Sequence, residues 1–227
     1  MMKLALFDLD HTLIPIDSDH AWGEFATRIG WADPQVFKRR NDEFYAQYKA
    51  GTLDIHEYIR FTTEPVRRHG ASAAAEAQAR FMREVVGPAI TPQARALVES
   101  HRKAGDQIAI VTATNEFVTR PIAQSFGVDE LIAVQLARGP GGWYSGDIAG
   151  TPSFREGKVT RVGEWLAARG RGWGDVDITF YSDSLNDLPL LEKSQQPVAT
   201  NPDDTLRSIA TQRGWRILDL FKEEQKQ

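Results

Sequence analysis

Short runs of apolar residues, each bounded by polar ones, recur along the chain: Leu4 to Phe7, Gln107 to Val111, Asp177 to Tyr181 and, more weakly, Pro197-Val198-Ala199. Runs this short predict strands buried on both faces, as in a parallel sheet. Helical spacing fills the intervals, notably Pro92 to Lys103 before the second strand and Val159 to Arg169 before the third, with Gly170 as a stop. Strands alternating with helices predict a doubly wound, Rossmann-like α/β sheet whose site lies at the carboxyl ends of the strands.

Between about Asp19 and Val86 the strand-like runs vanish, and aromatic residues recur at helical spacing: Trp22, Phe25 and Ile29, then Phe37, Phe44, Tyr45 and Tyr48, then Tyr58, Ile59 and Phe61. Ala71 to Arg83 is also helical, and Gly87-Pro88 ends the segment. The expected organisation is therefore a core domain built from 1–18 and 87–227, with an all-helical domain, 19–86, inserted after the first strand. Leu131 to Gly150, centred on Gly139-Pro140-Gly141-Gly142, reads as a β-hairpin near the sheet edge.

Composition narrows the function classes. With 227 residues, 41% hydrophobic and 26% charged, the chain can bury one sizeable core. A formal net charge of -4 and no long basic block argue against nucleic acid as a partner. Without cysteine there is no disulfide, thiolate nucleophile or Cys-ligated zinc. No apolar run of ~18 residues predicts a membrane span, and Asp8 comes too early for a signal segment. A cytoplasmic location is expected.

The chemistry concentrates at strand ends. Asp8 and Asp10 leave the first strand two residues apart, a spacing that lets one carboxylate act as nucleophile while the other handles protons. Their mutual repulsion invites a divalent cation. Asp183 follows a different strand, in Tyr181-Ser182-Asp183-Ser184-Leu185-Asn186-Asp187. Mg²⁺ takes only one or two protein carboxylates, a demand that Asp8 and Asp183 with the Asp10 carbonyl would meet. Asp187 is a further candidate, or a helix cap. Thr112, followed by Ala113 and a run of backbone N–H groups, could hold an anion. Lys158, placed just before a helix, could supply a fixed positive charge.

Taken together, these residues resemble the four motifs of the haloacid dehalogenase-like hydrolases, which are mostly phosphatases. The D-x-D-x-T motif matches Asp8, Asp10 and Thr12, the strand-end Ser/Thr matches Thr112, the Lys matches Lys158, and the acidic motif matches Asp183 and Asp187. The helical insertion is similar to the first-position cap of the phosphoserine phosphatase-like branch, and Asn201-Pro202-Asp203 fits the same placement. His11 departs from the pattern, since relatives usually carry a small residue there.

The resemblance implies a Mg²⁺-dependent phosphatase acting through an aspartyl-phosphate. Asp8 is then the nucleophile and Asp10 the general acid and base, with Thr112 and Lys158 holding the phosphoryl group of a small phosphorylated metabolite. Asp17 and Asp19, with His20 and Trp22, lie where a leaving group would sit, and acids there suit an amine-bearing substrate such as phosphoserine. Alternatively, Asp17 and Ser18 merely cap a helix, and Arg39 and Arg40 read as a solvated face rather than an anion site. The competing functional readings are an inactive phosphate-binding module, which would be expected to have lost one of these groups, and a phosphotransferase.

Overall fold

The computed structural model describes residues 1–221. The first strand, β1 (Met2–Phe7), is followed by helices α1 (Ser18–Arg28), α2 (Pro34–Ala50), α3 (Ile55–Thr62) and α4 (Glu64–Phe81), a π-helical turn (Met82–Val86) and a single turn, α5 (Gly87–Ala89). Then come α6 (Pro92–Ala104), β2 (Gln107–Asn115), α7 (Glu116–Ser125), β3 (Glu130–Val134), β4 (Leu136–Arg138) and β5 (Tyr144–Ile148). The described part ends with α8 (Glu156–Ala167), β6 (Val176–Ser182), α9 (Leu188–Lys193), β7 (Gln196–Thr200), α10 (Asp204–Arg213) and β8 (Arg216–Leu218).

Six strands form one sheet in the order β3-β2-β1-β6-β7-β8, every neighbouring pair parallel. The order reverses at β1, which has β2 on one side and β6 on the other, so a crevice opens above its carboxyl end. The continuous apolar runs follow from two-sided burial. Leu4 and Leu6 of β1 pack with Val162 and Leu166 of α8 and Leu206 of α10, whereas Ala5 and Phe7 face Val98 of α6 and Ile122 of α7. Trp22, Phe25 and Phe81, from α1 and α4, extend that second cluster without a gap.

Local signals set the helix ends. Thr91 Oγ1 accepts from the Ala94 N–H at 3.1 Å, Pro92 opens α6, and Gly105 closes it in the left-handed region. Asp33, Pro34 and Gly51 do the same for α2. No helix among the described residues is long and apolar enough to cross a membrane.

Two expectations need correction. Leu131 to Val134, read as the first arm of a hairpin, instead belong to an edge strand of the main sheet, Glu130–Val134, parallel to β2. Only Leu136–Arg138 and Tyr144–Ile148 form the hairpin around Gly142, where φ is 75°. The run Ile132-Ala133-Val134 is buried, which a parallel strand satisfies and a solvent-facing ribbon does not. Helix α8 starts at Glu156 rather than Val159, which places Lys158 inside its first turn. Gly157 makes this possible, because a Cβ there would meet the Pro152 carbonyl oxygen at 2.0 Å.

Candidate active site

The end of β1 is built as a tight loop. The Leu9 carbonyl accepts from the N–H groups of Leu13, at 2.8 Å, and Ile14, at 3.1 Å, while His11 takes a φ of 56°. That left-handed region favours glycine, and histidine is among the few other residues that adopt it with some frequency. The His11 side chain is exposed, and its carbonyl accepts from Asn201 Nδ2 at 2.8 Å. The loop leaves Asp8 buried at the strand end, with its N–H donating to the Tyr181 carbonyl at 2.9 Å, and keeps Asp10 and Thr12 at the cleft.

Residues distant in sequence converge on these carboxylates. Lys158 Nζ donates to Asp8 Oδ1 at 2.9 Å and to Asp187 Oδ2 at 2.6 Å, and all three side chains are buried. Burial works against the ammonium, yet Asp187 and Asp8 outweigh it and hold Lys158 above its ordinary pKa. Burial lifts the Asp187 carboxyl to about 6, while Lys158 and the Ser182 hydroxyl, 2.7 Å from Oδ2, oppose the rise and keep it ionised at neutral pH. Thr12 Oγ1 donates to Asp183 Oδ1 at 3.0 Å and accepts from the Asp183 N–H at 3.0 Å. The Asp183 carboxyl is pushed well above its ordinary value by burial and by the facing charges of Asp8 and Asp187.

Asp10 is held from two sides. The Ser18 N–H donates to Oδ1 at 2.9 Å, and Thr114 Oγ1 donates to Oδ2 at 2.9 Å. Burial, reinforced by Asp17 and Asp8, raises its pKa well above the usual carboxylate value, against the pull of the Ser18 bonds. On β2, the three residues Thr112 to Thr114 stand opposite the single residue Ala133 of β3, so the ladder is broken where the strand meets the cleft. Thr112 Oγ1 accepts from the Thr114 N–H at 3.1 Å, leaving its own proton to donate elsewhere, and Ala113 beside it is half-buried. The Thr112 carbonyl is fixed by Ser153 Oγ at 2.6 Å.

Of the acids placed near the leaving group, Asp17 is exposed and caps α1 by accepting from the His20 N–H at 2.9 Å. Asp19 is buried, its Oδ1 accepting from Asn115 Nδ2 at 3.2 Å, and the Tyr58 hydroxyl acts on the same carboxyl. Burial, with the Asp17 charge, raises it to about 7. Arg40 pairs with Glu43 and Glu57 on an exposed face, as a solvated helix side would.

The described residues contain no group of three His, Cys, Asp or Glu side chains arranged to enclose a metal. Asp8 and Asp183 facing one another form a two-carboxylate site, which suits a cation that keeps most of its shell for water and substrate.

The family model described as haloacid dehalogenase-like hydrolase matches residues 5–192. The chain belongs to that family. It is a hydrolase of the phosphatase class within it. A histidinol-phosphatase of Neisseria meningitidis serogroup C is 44% identical over 221 residues, covering 97% of this chain and all of that protein. A crystal structure of a protein of unknown function from Bordetella pertussis Tohama I is 49% identical, with a TM-score of 0.92, covering 97% of this chain and 100% of that one. A substrate-bound phosphoserine phosphatase shares the fold at 18% identity, with a TM-score of 0.65 over 96% of this chain and 93% of its own.

Several groups that shape the cleft carry no motif of their own. Thr114 was within reach of sequence reasoning, because residues i and i+2 of a strand share a face and Thr112 was already a candidate. Tyr48 of α2, 3.2 Å from Ser184 Oγ, had no such signal. Nor had Arg155, which bridges Asn186 Oδ1 at 3.0 Å and the Gly51 carbonyl at 3.1 Å.

Proposed function

We propose that this chain hydrolyses a small, amine-bearing phosphomonoester with the help of Mg²⁺ through a phosphorylated Asp8. The observation that carries the reading is the meeting of Asp8, Lys158 and Asp187 in one buried bridge, with Asp183 facing Asp8 from the neighbouring strand end.

Asp8 attacks phosphorus in line, the new bond forming to its carboxylate oxygen as the bond to the leaving oxygen breaks. Asp10, whose protonated form burial favours, gives its proton to that oxygen and later takes one from the water that releases phosphate and restores Asp8. Lys158, the Thr112 hydroxyl and the Ala113 N–H stand where charge on the transferring group must be balanced. Asp8 and Asp183, with the Asp10 carbonyl, would hold the cation, which supplies charge neutralisation when bound. Asp187, committed to Lys158 and Ser182, would keep the lysine in place behind them.

In this reading α1–α4 (19–86) form a cap over the core (1–18 and 87–227). Support comes from Tyr48 and from the Arg155 bond to Gly51, which join α2 and the turn that ends it to the cleft loops. The leaving group lies beneath that cover, where the Asp19 carboxyl, with Asp17 nearby, supplies the negative charge that an ammonium group answers. The name of the Neisseria relative points the same way, since histidinol phosphate is an amine-bearing phosphomonoester. A cytoplasmic phosphorylated metabolite is the substrate class implied.

Phosphate release from a panel of phosphomonoesters, with and without an ammonium group, tests the proposal alongside Asp8→Asn and a chelator. Amine-bearing esters are expected to lead, with turnover lost in both controls and restored by Mg²⁺ after chelation. A folded chain that releases phosphate from none of them would overturn the reading.

A further inference from the structure

Arg155 occupies a backbone position that suits glycine. The Gly157 N–H donates to the Phe154 carbonyl at 2.9 Å, closing a tight turn in which Arg155 takes a φ of 52° and a ψ of -123°. Glycine enters that region freely and other residues do not, so a side chain held there marks a place that its surroundings over-determine. The segment is anchored to β2, because Ser153 Oγ donates to the Thr112 carbonyl at 2.6 Å. It also opens α8, where the Lys158 N–H donates to the Arg155 carbonyl at 3.0 Å.

The Arg155 side chain spans two parts of the molecule. Nε donates to Asn186 Oδ1 at 3.0 Å, and Nη1 donates to the Gly51 carbonyl at 3.1 Å. Gly51 is the left-handed cap of α2, so the guanidinium meets the negative end of that helix, where a cation is favoured. A Cβ on Gly51 would lie 2.9 Å from Nη2, so this close approach needs a glycine on the helix side. Asn186 sits in the turn Leu185–Asp187, whose last residue accepts from Lys158 Nζ at 2.6 Å. Tyr48, one turn earlier on α2, closes the same junction. Its hydroxyl is 3.2 Å from Ser184 Oγ, which accepts from the Asn186 N–H at 3.2 Å, and its ring centroid is 6.1 Å from that of Phe154.

Other contacts hold α1 and α4. Trp22 of α1 meets Phe81 of α4 and Phe117 of α7, and Trp143 Nε1 donates to the Val66 carbonyl of α4 at 3.3 Å. The end of α2 rests instead on the cleft loops, through Arg155 and Tyr48. We propose that Arg155 is a positioning residue that couples the seating of α2 over the cleft to the placement of Lys158. Its guanidinium holds both the helix end and the turn that carries Asp187, while its carbonyl starts the helix that carries Lys158. When α2 lifts, the Gly51 bond breaks and the lysine loses a constraint; when α2 seats, helix end, turn and lysine are fixed together. The consequence for turnover rests on the proposed phosphatase activity. The tie between α2 and the cleft loops does not.

Two variants of the full chain test the coupling. Arg155→Gly relieves the backbone strain while deleting the guanidinium, so its melting temperature is expected to match or exceed the parent's. With the best ester of the panel, its kcat is expected to fall about tenfold or more, with KM changed less than about threefold. Arg155→Lys keeps the strain and a charge but not the two-sided fork, so it is expected to be more active than Arg155→Gly and no more stable. A merely structural role would rank activity with stability. Hydrogen exchange read by mass spectrometry is expected to quicken in Arg155→Gly over 47–54, the end of α2 and the turn after it, and to stay unchanged over α1 and α4. The proposal is overturned if kcat in Arg155→Gly equals the parent's, if exchange over 47–54 is unaltered, or if activity follows melting temperature across the variants. A parent chain that turns over no ester fails the functional reading, and exchange alone then decides whether Arg155 ties α2 to the cleft loops.

Discussion

Thr114 donates its hydroxyl to Asp10, Oγ1 to Oδ2 at 2.9 Å, from the strand beside the one that carries Asp8. This bond orients the carboxyl proposed to move the proton. Thr114→Val keeps the shape and removes the donor. A hydrogen bond to a neutral group is worth about 0.5–1.5 kcal/mol, so kcat is expected to fall about two- to tenfold with KM little changed. An unaltered pH profile and kcat would show that Asp10 needs no such support.

Lys158 neutralises two buried carboxylates at once. Lys158→Met leaves both unpaired, and removing one partner of a buried ion pair costs about 3–5 kcal/mol. Adding Asp187→Asn to that variant is expected to return part of the stability in denaturant melts and none of the turnover. Recovery of turnover in the double variant would remove Lys158 from the catalytic set.

Asp19 makes stability depend on pH. Lifted to about 7 by burial and by Asp17, it stays protonated in the folded chain where an unfolded aspartate, near ~3.9, has ionised. The folded state then holds the extra proton, so this contribution is complete below about pH 4 and is lost as the pH rises to about 7. The loss approaches about 4 kcal/mol. Asp19→Asn cannot ionise, so its Tm is expected to exceed the parent's at about pH 8, the gap narrowing as the pH falls and closing only below about pH 4. Parallel Tm curves for the two proteins would mean that Asp19 ionises freely when folded.

The helices between β1 and α6 share their packing with the sheet. Trp22 of α1 meets Phe81 of α4 edge-on at 5.2 Å, and Phe117 of α7 at the same distance. Phe81→Ala is expected to cost about 3–5 kcal/mol. Because one cluster spans both regions, tryptophan fluorescence and far-UV circular dichroism are expected to report a single coincident transition. Two separated transitions would show that the helices unfold independently.

Much of the fold was legible because its determinants are local. Leu4 to Phe7, Gln107 to Val111 and Asp177 to Tyr181 are buried parallel strands, and buried strands need apolar residues on both faces. β3 was misassigned because Leu131 to Val134 could equally be a hairpin arm, and only its pairing with β2 decides. β8, three residues long, has too little pattern to be seen and exists through its register with β7.

The sequence by itself determined the chemistry on offer: the strand-end acids, the lysine, the hydroxyl of Thr112 and the residue types that form each helix and strand. Those depend on residue identity and spacing within a few positions. The tertiary structure decided which groups meet. It placed Lys158 between Asp8 and Asp187, turned Thr114 toward Asp10 and buried Asp19 against Asn115 and Tyr58. Such contacts, and the protonation states that burial imposes, join residues as far as 150 and 171 positions apart. They arise only when the parallel sheet brings its strand ends together.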